Sequence, residues 1–336
     1  MLKKNIFTLG LMTYFVIAFV LAVAPVSGQQ KIVMRIGHGH PVEHLRHQAL
    51  VKFEQNVEGR TNGRVQVEIY PASQLGTERE MMESMKLGSL ESTRGGAYES
   101  YSKELLALTL PYLFDNIDQA RKILLGEVGD YVGQIGDRSV IISWQHSAGF
   151  RHIANNKKPI LVPTDMEGMK IRVPPIETSV LTVSAFGASP APVAWAETYM
   201  ALKTKVVDGL ENAIVHLYTG KSYEVTKYLS LTGHIYHPDP TFVNAKWWNS
   251  LPGDIRKIVK ECAEESSAWH DEQVLADDRI KLYQMGEYGT LINWIPRENI
   301  SLFREKSKKV YQHYIEKGIF SAELRNRLSK ALGRSL

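Results

Sequence analysis

Lys31-Ile32-Val33-Met34-Arg35-Ile36-Gly37 opens the stretch that decides the fold class. Its apolar positions predict a strand, and a helical pattern follows over 42–58. Thr61-Asn62-Gly63 turns the chain, after which Val65, Val67 and Ile69 alternate as one face of a second strand. Gly76 breaks the chain before a helix over Glu78–Leu87, which Gly88 caps. Helix signals resume over 117–135, and an apolar strand is expected at 139–144. This β-α-β-α alternation predicts an α/β sheet wrapped by helices.

A second rhythm begins near Arg151. A strand over 169–173 ends at Pro174-Pro175, because proline donates no hydrogen bond to a ladder. A helix then runs to Phe186, with Gly187 placed to cap it. A short helix is expected over 195–203 and an apolar strand over 206–212. Two α/β lobes with no linker composition between them imply that the chain crosses from one to the other more than once. From Asp254 to Met285 there is neither proline nor glycine. Ile255, Ile258, Val259, Cys262, Ser266, Trp269, Ala276, Ile280 and Tyr283 recur at three-four spacing, with Gln273 as the one misfit, and predict a single buried stripe. Thirty-two helical residues reach about 48 Å, so this helix is expected to act as a spine through both lobes. Two shorter helices with a hidden break are the alternative.

Composition narrows the function classes. The chain has 336 residues, a formal charge of +4, 44% hydrophobic and 23% charged residues. Such a length allows two domains with sizeable cores, and such a balance excludes a disordered chain or a fibre. The single cysteine, Cys262, rules out an intrachain disulfide framework and a multi-thiolate metal site. The basic excess is too small to point to nucleic acid. Lys3 and Lys4 precede a long apolar run that ends in Pro25-Val26-Ser27-Gly28. This pattern predicts a secretory leader over 1–28 cleaved before Gln29, or else an uncleaved anchor. In either case the body is expected outside the cytoplasmic membrane.

Most enzyme signatures are missing: there is no G-x-S-x-G elbow, no P-loop and no complete dinucleotide loop. His40-Pro41-Val42-Glu43-His44 does match an H-x-x-E-H zinc pattern. That chemistry needs both histidines on one helix, but Pro41 suits a first helical position and would leave His40 outside as a cap. A zinc-dependent hydrolase at His40 and His44 is kept as an alternative, as is a plain metal set of His38, His40, His44 and His47. Two arginines point elsewhere. Strand alternation puts Met169, Ile171 and Val173 on one face and Arg172 on the other, at a strand end, where open α/β sheets bind ligands. A guanidinium there offers a planar fork to a carboxylate. Arg151 follows Gly149-Phe150 at the expected lobe boundary.

The segment Met166 to Pro174 (MEGMKIRVP), continuing through Phe186–Leu202 and Val207-Asp208-Gly209-Leu210-Glu211-Asn212, resembles the solute-binding proteins of TRAP transporters, the DctP-type periplasmic receptors. Tyr70 to Gly76, Leu110 to Phe114 and Trp247 to Pro252 extend the resemblance, in order, over nearly the whole exported chain. It implies a non-enzymatic, two-lobed periplasmic-binding-protein architecture with a cleft between the lobes. Lobe I would take 29–149 plus about 238–277, and lobe II 150–237 plus about 278–336.

The resemblance also implies a function. The protein would capture a small organic acid, such as a sugar acid or dicarboxylate, and deliver it to TRAP permease membrane subunits from the periplasm. It would act as a monomer without a cofactor; a sensor that presents its ligand to a signalling partner is the alternative. Arg172 would pair with the ligand carboxylate, Arg151 and Asn212 would assist, and Trp195 would pack on the ligand body. Among first-lobe residues, His40 and Tyr98 are candidates. Three departures from the pattern stand out: Pro175, the missing glycine in Met200 to Lys205, and the divergent stretch Ser92 to Tyr98.

Overall fold

Residues 31–145 and 149–336 are described in a computed structural model, so the expected leader over 1–28 lies outside the described residues. The strands are β1 (Ile32–His38), β2 (Val65–Tyr70), β3 (Ser92–Arg94), β4 (Ser139–Gln145), β5 (Phe150–Asn155) and β6 (Lys170–Val173). They continue with β7 (Ser189–Pro192), β8 (Gly209–Ala213), β9 (Tyr228–Tyr236), β10 (Asp239–Asn244) and β11 (Leu291–Trp294). Two sheets result, ordered β2-β1-β3-β10-β4 and β11-β9-β5-β8-β6-β7. In the first, β1 is parallel to β2 and β3, while β10 runs antiparallel to β3 and β4. In the second, β5 runs antiparallel to β8 and β9, whereas β6 is parallel to β7 and β8. The chain passes to the second sheet after β4 and returns between β9 and β10. It crosses again along the helix Gly253–Tyr288 to reach β11.

The expected first strand and the helix Glu78–Leu87 are present, the latter closed by a Thr77–Glu80 capping box and by Gly88 at φ 85°. The helix expected over 42–58 starts later, at Leu45, with His44 rather than His40 as its cap. The helix expected over 117–135 is broken into Ile117–Leu124 and Glu127–Val132 by Leu125-Gly126. Pro175 precedes a helix, Glu177–Ala185, that has no side-chain cap. Strands β10 and β11 carry no alternating signal, because β10 is buried on both faces and β11 is short.

The long helix is one unbroken element of 36 residues that ends at Gly289, φ 114°. Its first half follows the expected stripe: Ile255, Val259, Cys262 and Ala263 pack with Met34, Ile36, Leu50 and Phe53 under the first sheet. Its second half does not. Ala276, Ile280 and Tyr283 are exposed, and the buried face turns to Val274, Lys281 and Met285. Met285 joins Leu210, Leu217 and Leu229 under the second sheet. A helix that leaves one core and enters another need not present the same face to both. Between them it buries Ser266, Ser267, His270 and Asp271. The Ser267 hydroxyl donates to Ser143 Oγ at 3.1 Å and accepts from Arg94 Nη2 at 3.3 Å, which ties the helix to β4 and β3. At the C-terminus, the helix Ala322–Leu332 places Leu324 and Leu328 in a core with Leu124, Val128 and Tyr314. It therefore packs both on the first-lobe helices Ile117–Leu124 and Glu127–Val132 and on Tyr314 of the helix Arg297–Glu316.

An unusual share of the interior is imidazole. His38, His40, His44, His216, His234, His237 and His270 are all buried. Burial, the largest cause for each, pushes their pKa values below the ordinary 6.5. These rings stay neutral in the fold but take up protons in the unfolded chain as pH drops through 6.5. The unfolded state then binds more protons, so stability falls with falling pH.

Two outcomes are expected. Lowering the pH from 7.5 to 5.5 should shift the denaturant midpoint down steeply, by about 1.4 kcal/mol per pH unit for each histidine left neutral once its unfolded counterpart is charged. A flat profile over that range would falsify the burial of neutral rings. Ser267→Pro should cost about 3 kcal/mol or more, since proline removes a helix donor and clashes with the preceding turn. Lys260→Ala, on the exposed face, should leave the melting temperature unchanged in a differential scanning measurement.

Candidate functional site

The two sheets meet around a cavity of about 200 Å³. One wall carries Gly39, His40, Arg46, Glu78 and Gly96 from the first sheet and its helices. The other carries Arg151, Arg172, Trp195, Asn212 and His216, with His237 at the β9–β10 crossover between them. Arg172, Arg151, Asn212, Trp195 and His40 are thus brought together around one cavity. Tyr98 is not among them. Its ring lies in the core and its hydroxyl donates to the Pro238 carbonyl, because an aromatic on the short helix Tyr98–Tyr101 finds apolar neighbours before it finds the cavity.

Arg172 sits on β6 with its side chain 2% exposed. Its Nε and Nη2 both donate to the Val193 carbonyl, at 3.0 and 2.7 Å, and its guanidinium carbon stands 5.9 Å from the Trp195 ring. Among the described residues no carboxylate lies within salt-bridge distance of it. Burial first, and the nearby Arg151 charge second, pull its pKa down to about 9. The site therefore contains a buried cation whose counter-charge is missing.

The two other buried arginines on the cavity wall are already matched, while Arg94, off the wall, donates to Ser267 and has Asp239 at 4.0 Å. Arg151 forks onto the Glu211 carboxylate and also donates to the Glu211 carbonyl at 2.8 Å. Burial alone would raise the Glu211 carboxyl, but the Arg151 guanidinium beside it holds it down to about 2. Arg151, which lines the cavity, is consequently a cation already matched by Glu211, a pairing that follows from β5 and β8 being antiparallel neighbours. Arg46, at the start of its helix, donates to Asp239 at 2.8 Å and to Glu78 at 3.3 Å. Glu78 in turn accepts from the Gly96 amide at 2.9 Å. A side chain at Gly95 would place its Cβ 2.5 Å from Glu78 Cδ, so the divergent Ser92 to Tyr98 stretch lets this carboxylate into the cavity.

The histidines form a stack. His40 lies on His216 with ring centroids 4.6 Å apart and planes 7° apart, and on His44 at 4.1 Å. Trp195, half-buried, flanks the stack at 5.4 Å from His40 and 6.0 Å from His216. His40, His44 and His216 bring one ring nitrogen each within 4.8 Å of one another. A metal is nonetheless disfavoured. His44 Nδ1 accepts the Arg46 amide at 2.9 Å and its Nε2 faces His216 Nδ1 at 3.0 Å, so both nitrogens are engaged. A cation on Nε2 would move the ring proton to Nδ1, against the amide hydrogen. His40 is outside the helix and Glu43 is exposed, so the H-x-x-E-H zinc geometry is not formed. His38 and His47 form a separate pair at 3.1 Å.

Sequence reasoning missed Arg46, Glu78, His216 and His237. The signal for His216 was available, since it follows Asn212 by four residues at the strand-to-helix turn. Glu78 gave none, because its partners are distant in sequence.

Residues 36–317 match the family described as DctP, bacterial extracellular solute-binding protein, family 7. The protein y4mM of Sinorhizobium fredii is 35% identical over 254 residues, 72% of this chain, which spans only 47% of that protein. The 2,3-diketo-L-gulonate-binding periplasmic protein YiaO of Escherichia coli is 28% identical over 282 residues, covering 82% of this chain and 85% of that one. A TRAP periplasmic solute-binding protein from Chromohalobacter salexigens, solved with D-glucuronate bound, superposes with a TM-score of 0.84 at 26% identity, covering 89% of this chain and 99% of that one. The order of elements, the cavity between two sheets and the match over 36–317 agree: the chain belongs to the DctP family of bacterial extracellular solute-binding proteins.

Proposed function

We propose that this protein is a periplasmic receptor, exported by the leader over 1–28, that captures a small organic carboxylate in the cavity between its lobes and delivers it to a TRAP permease. The observation that carries the reading is Arg172, a buried guanidinium without a carboxylate partner among the described residues. Burying an unpaired charge is costly, and a ligand carboxylate supplies the missing partner. In a site closed to water that attraction is stronger than at the surface. Trp195 gives an apolar face for the ligand body, and Asn212 a polar one. 2,3-Diketo-L-gulonate, which YiaO binds, and the D-glucuronate bound by the Chromohalobacter protein are both carboxylates, which supports the class.

Capture and closure are coupled in this reading. The lobes take 29–149 with about 238–277, and 150–237 with about 278–336. The C-terminal helix Ala322–Leu332 also packs on Leu124 and Val128 of the first lobe. Ligand bound to residues from both walls favours the closed form by its differential affinity, and the crossing after β9 acts as a hinge.

Arg172→Ala should abolish binding in calorimetry against a panel of organic acids, a loss of about 2–5 kcal/mol. It should leave the melting temperature of the ligand-free protein near wild type, because an unpaired charge is removed. Arg172→Lys should also bind poorly, since a point charge cannot replace the fork. Glu211→Gln, by contrast, should destabilise the fold by about 3–5 kcal/mol by stranding Arg151. Wild-type affinity in Arg172→Ala would sink the assignment. Saturating ligand should also lower the radius of gyration in solution scattering.

A further inference from the structure

The hydrogen bonds of the histidine stack carry an inference that rests on the carboxylate reading and narrows it. A backbone amide can only donate, so His44 Nδ1, which receives the Arg46 amide at 2.9 Å, carries no proton. The neutral ring then holds its proton on Nε2. That atom faces His216 Nδ1 at 3.0 Å, so His44 donates and His216 accepts. His216 must therefore carry its own proton on Nε2. The reverse chain would set a His44 Nδ1 proton head-on against the Arg46 amide. His216 is 6% exposed and lines the cavity, and its Nε2 has no hydrogen-bond partner among the described residues.

We propose that Arg46, His44 and His216 form a fixed-tautomer relay that presents one neutral N–H to the ligand, and that with Arg172 as the one buried arginine on the described cavity lining without a carboxylate partner it selects a monocarboxylate bearing a hydroxyl or carbonyl oxygen over a dicarboxylate. The two contacts are arranged for such a molecule. Arg172 and His216 stand 5.9 and 6.0 Å from the same Trp195 ring, so a ligand packed on the indole meets a cation and a neutral donor. The neutral donor suits a neutral oxygen. A second carboxylate, stripped of water, would find Arg151 held by Glu211 and Arg46 held by Asp239 and Glu78. The remaining cation on the lining, Arg79, is exposed at the rim and screened by solvent.

Two measurements test this on the whole protein. In ¹⁵N-labelled protein at pH 7.5, two-bond ¹H–¹⁵N spectra should show the Nε2–H tautomer for both His44 and His216. An Nδ1–H tautomer at His216 overturns the relay whether or not a ligand is known. Calorimetry should then compare D-gluconate and D-glucuronate with D-glucarate and succinate, expecting at least tenfold tighter binding of the best monocarboxylate. A dicarboxylate that binds equally or more tightly overturns the selectivity while leaving Arg172 as the carboxylate partner. Binding of none of them by the wild type overturns the carboxylate reading and the selectivity with it. His216→Phe should weaken D-gluconate tenfold or more but hexanoate little, and His216→Gln, which keeps an N–H, should recover part of the loss. Equal loss on both acids would mean that His216 only fills space, against the proposal.

Discussion

A charge buried away from water needs an opposite charge within a few ångströms, and the interior of this protein is organised around that requirement. Arg151 meets it with Glu211, and Arg46 with Asp239 and Glu78. Each pair joins segments far apart in sequence, so satisfying the charges also fixes how strands and helices face one another. Arg172 is held in place by the Val193 carbonyl instead, which orients the guanidinium without neutralising it. The same environment that makes the matched pairs rigid makes the unmatched arginine receptive to an anion.

Neutral groups complete the arrangement. Buried histidines remain uncharged, and each hydrogen bond they make dictates which nitrogen holds the proton. The chain from the Arg46 amide through His44 to His216 shows how a helix start can set the polarity of an atom two residues removed in the network. His38 repeats the logic, accepting the His40 amide at 3.3 Å and facing His47 at 3.1 Å. A cavity lined this way offers directed dipoles of known sign, which is how a receptor can hold a small polar molecule without a cofactor.

Much of the architecture was legible locally. The strand over 31–37, the helix over Glu78–Leu87 with its glycine cap, and the proline stop after β6 follow from periodicity and from residues with one backbone preference. The stripe on the long helix was correct for its first half and failed for the second, because helical spacing assumes one buried face and this helix serves two cores. The central strand β10 was invisible for the opposite reason: buried on both faces, it has no alternation to read.

The sequence by itself determined the α/β class, the two-lobed family pattern and the placing of Arg172 at a strand end, since these depend on spacing and residue type along a short stretch. Only the tertiary structure decided which arginine is free. Arg151 and Arg172 look alike in sequence, and the difference is made by Glu211 on a neighbouring antiparallel strand. It also decided that Tyr98 turns into the core and that His216 joins His40 and His44. Pairing energies of buried charges and the proton positions of stacked rings are set by distances between segments up to 193 residues apart. Those distances exist only once the chain has folded.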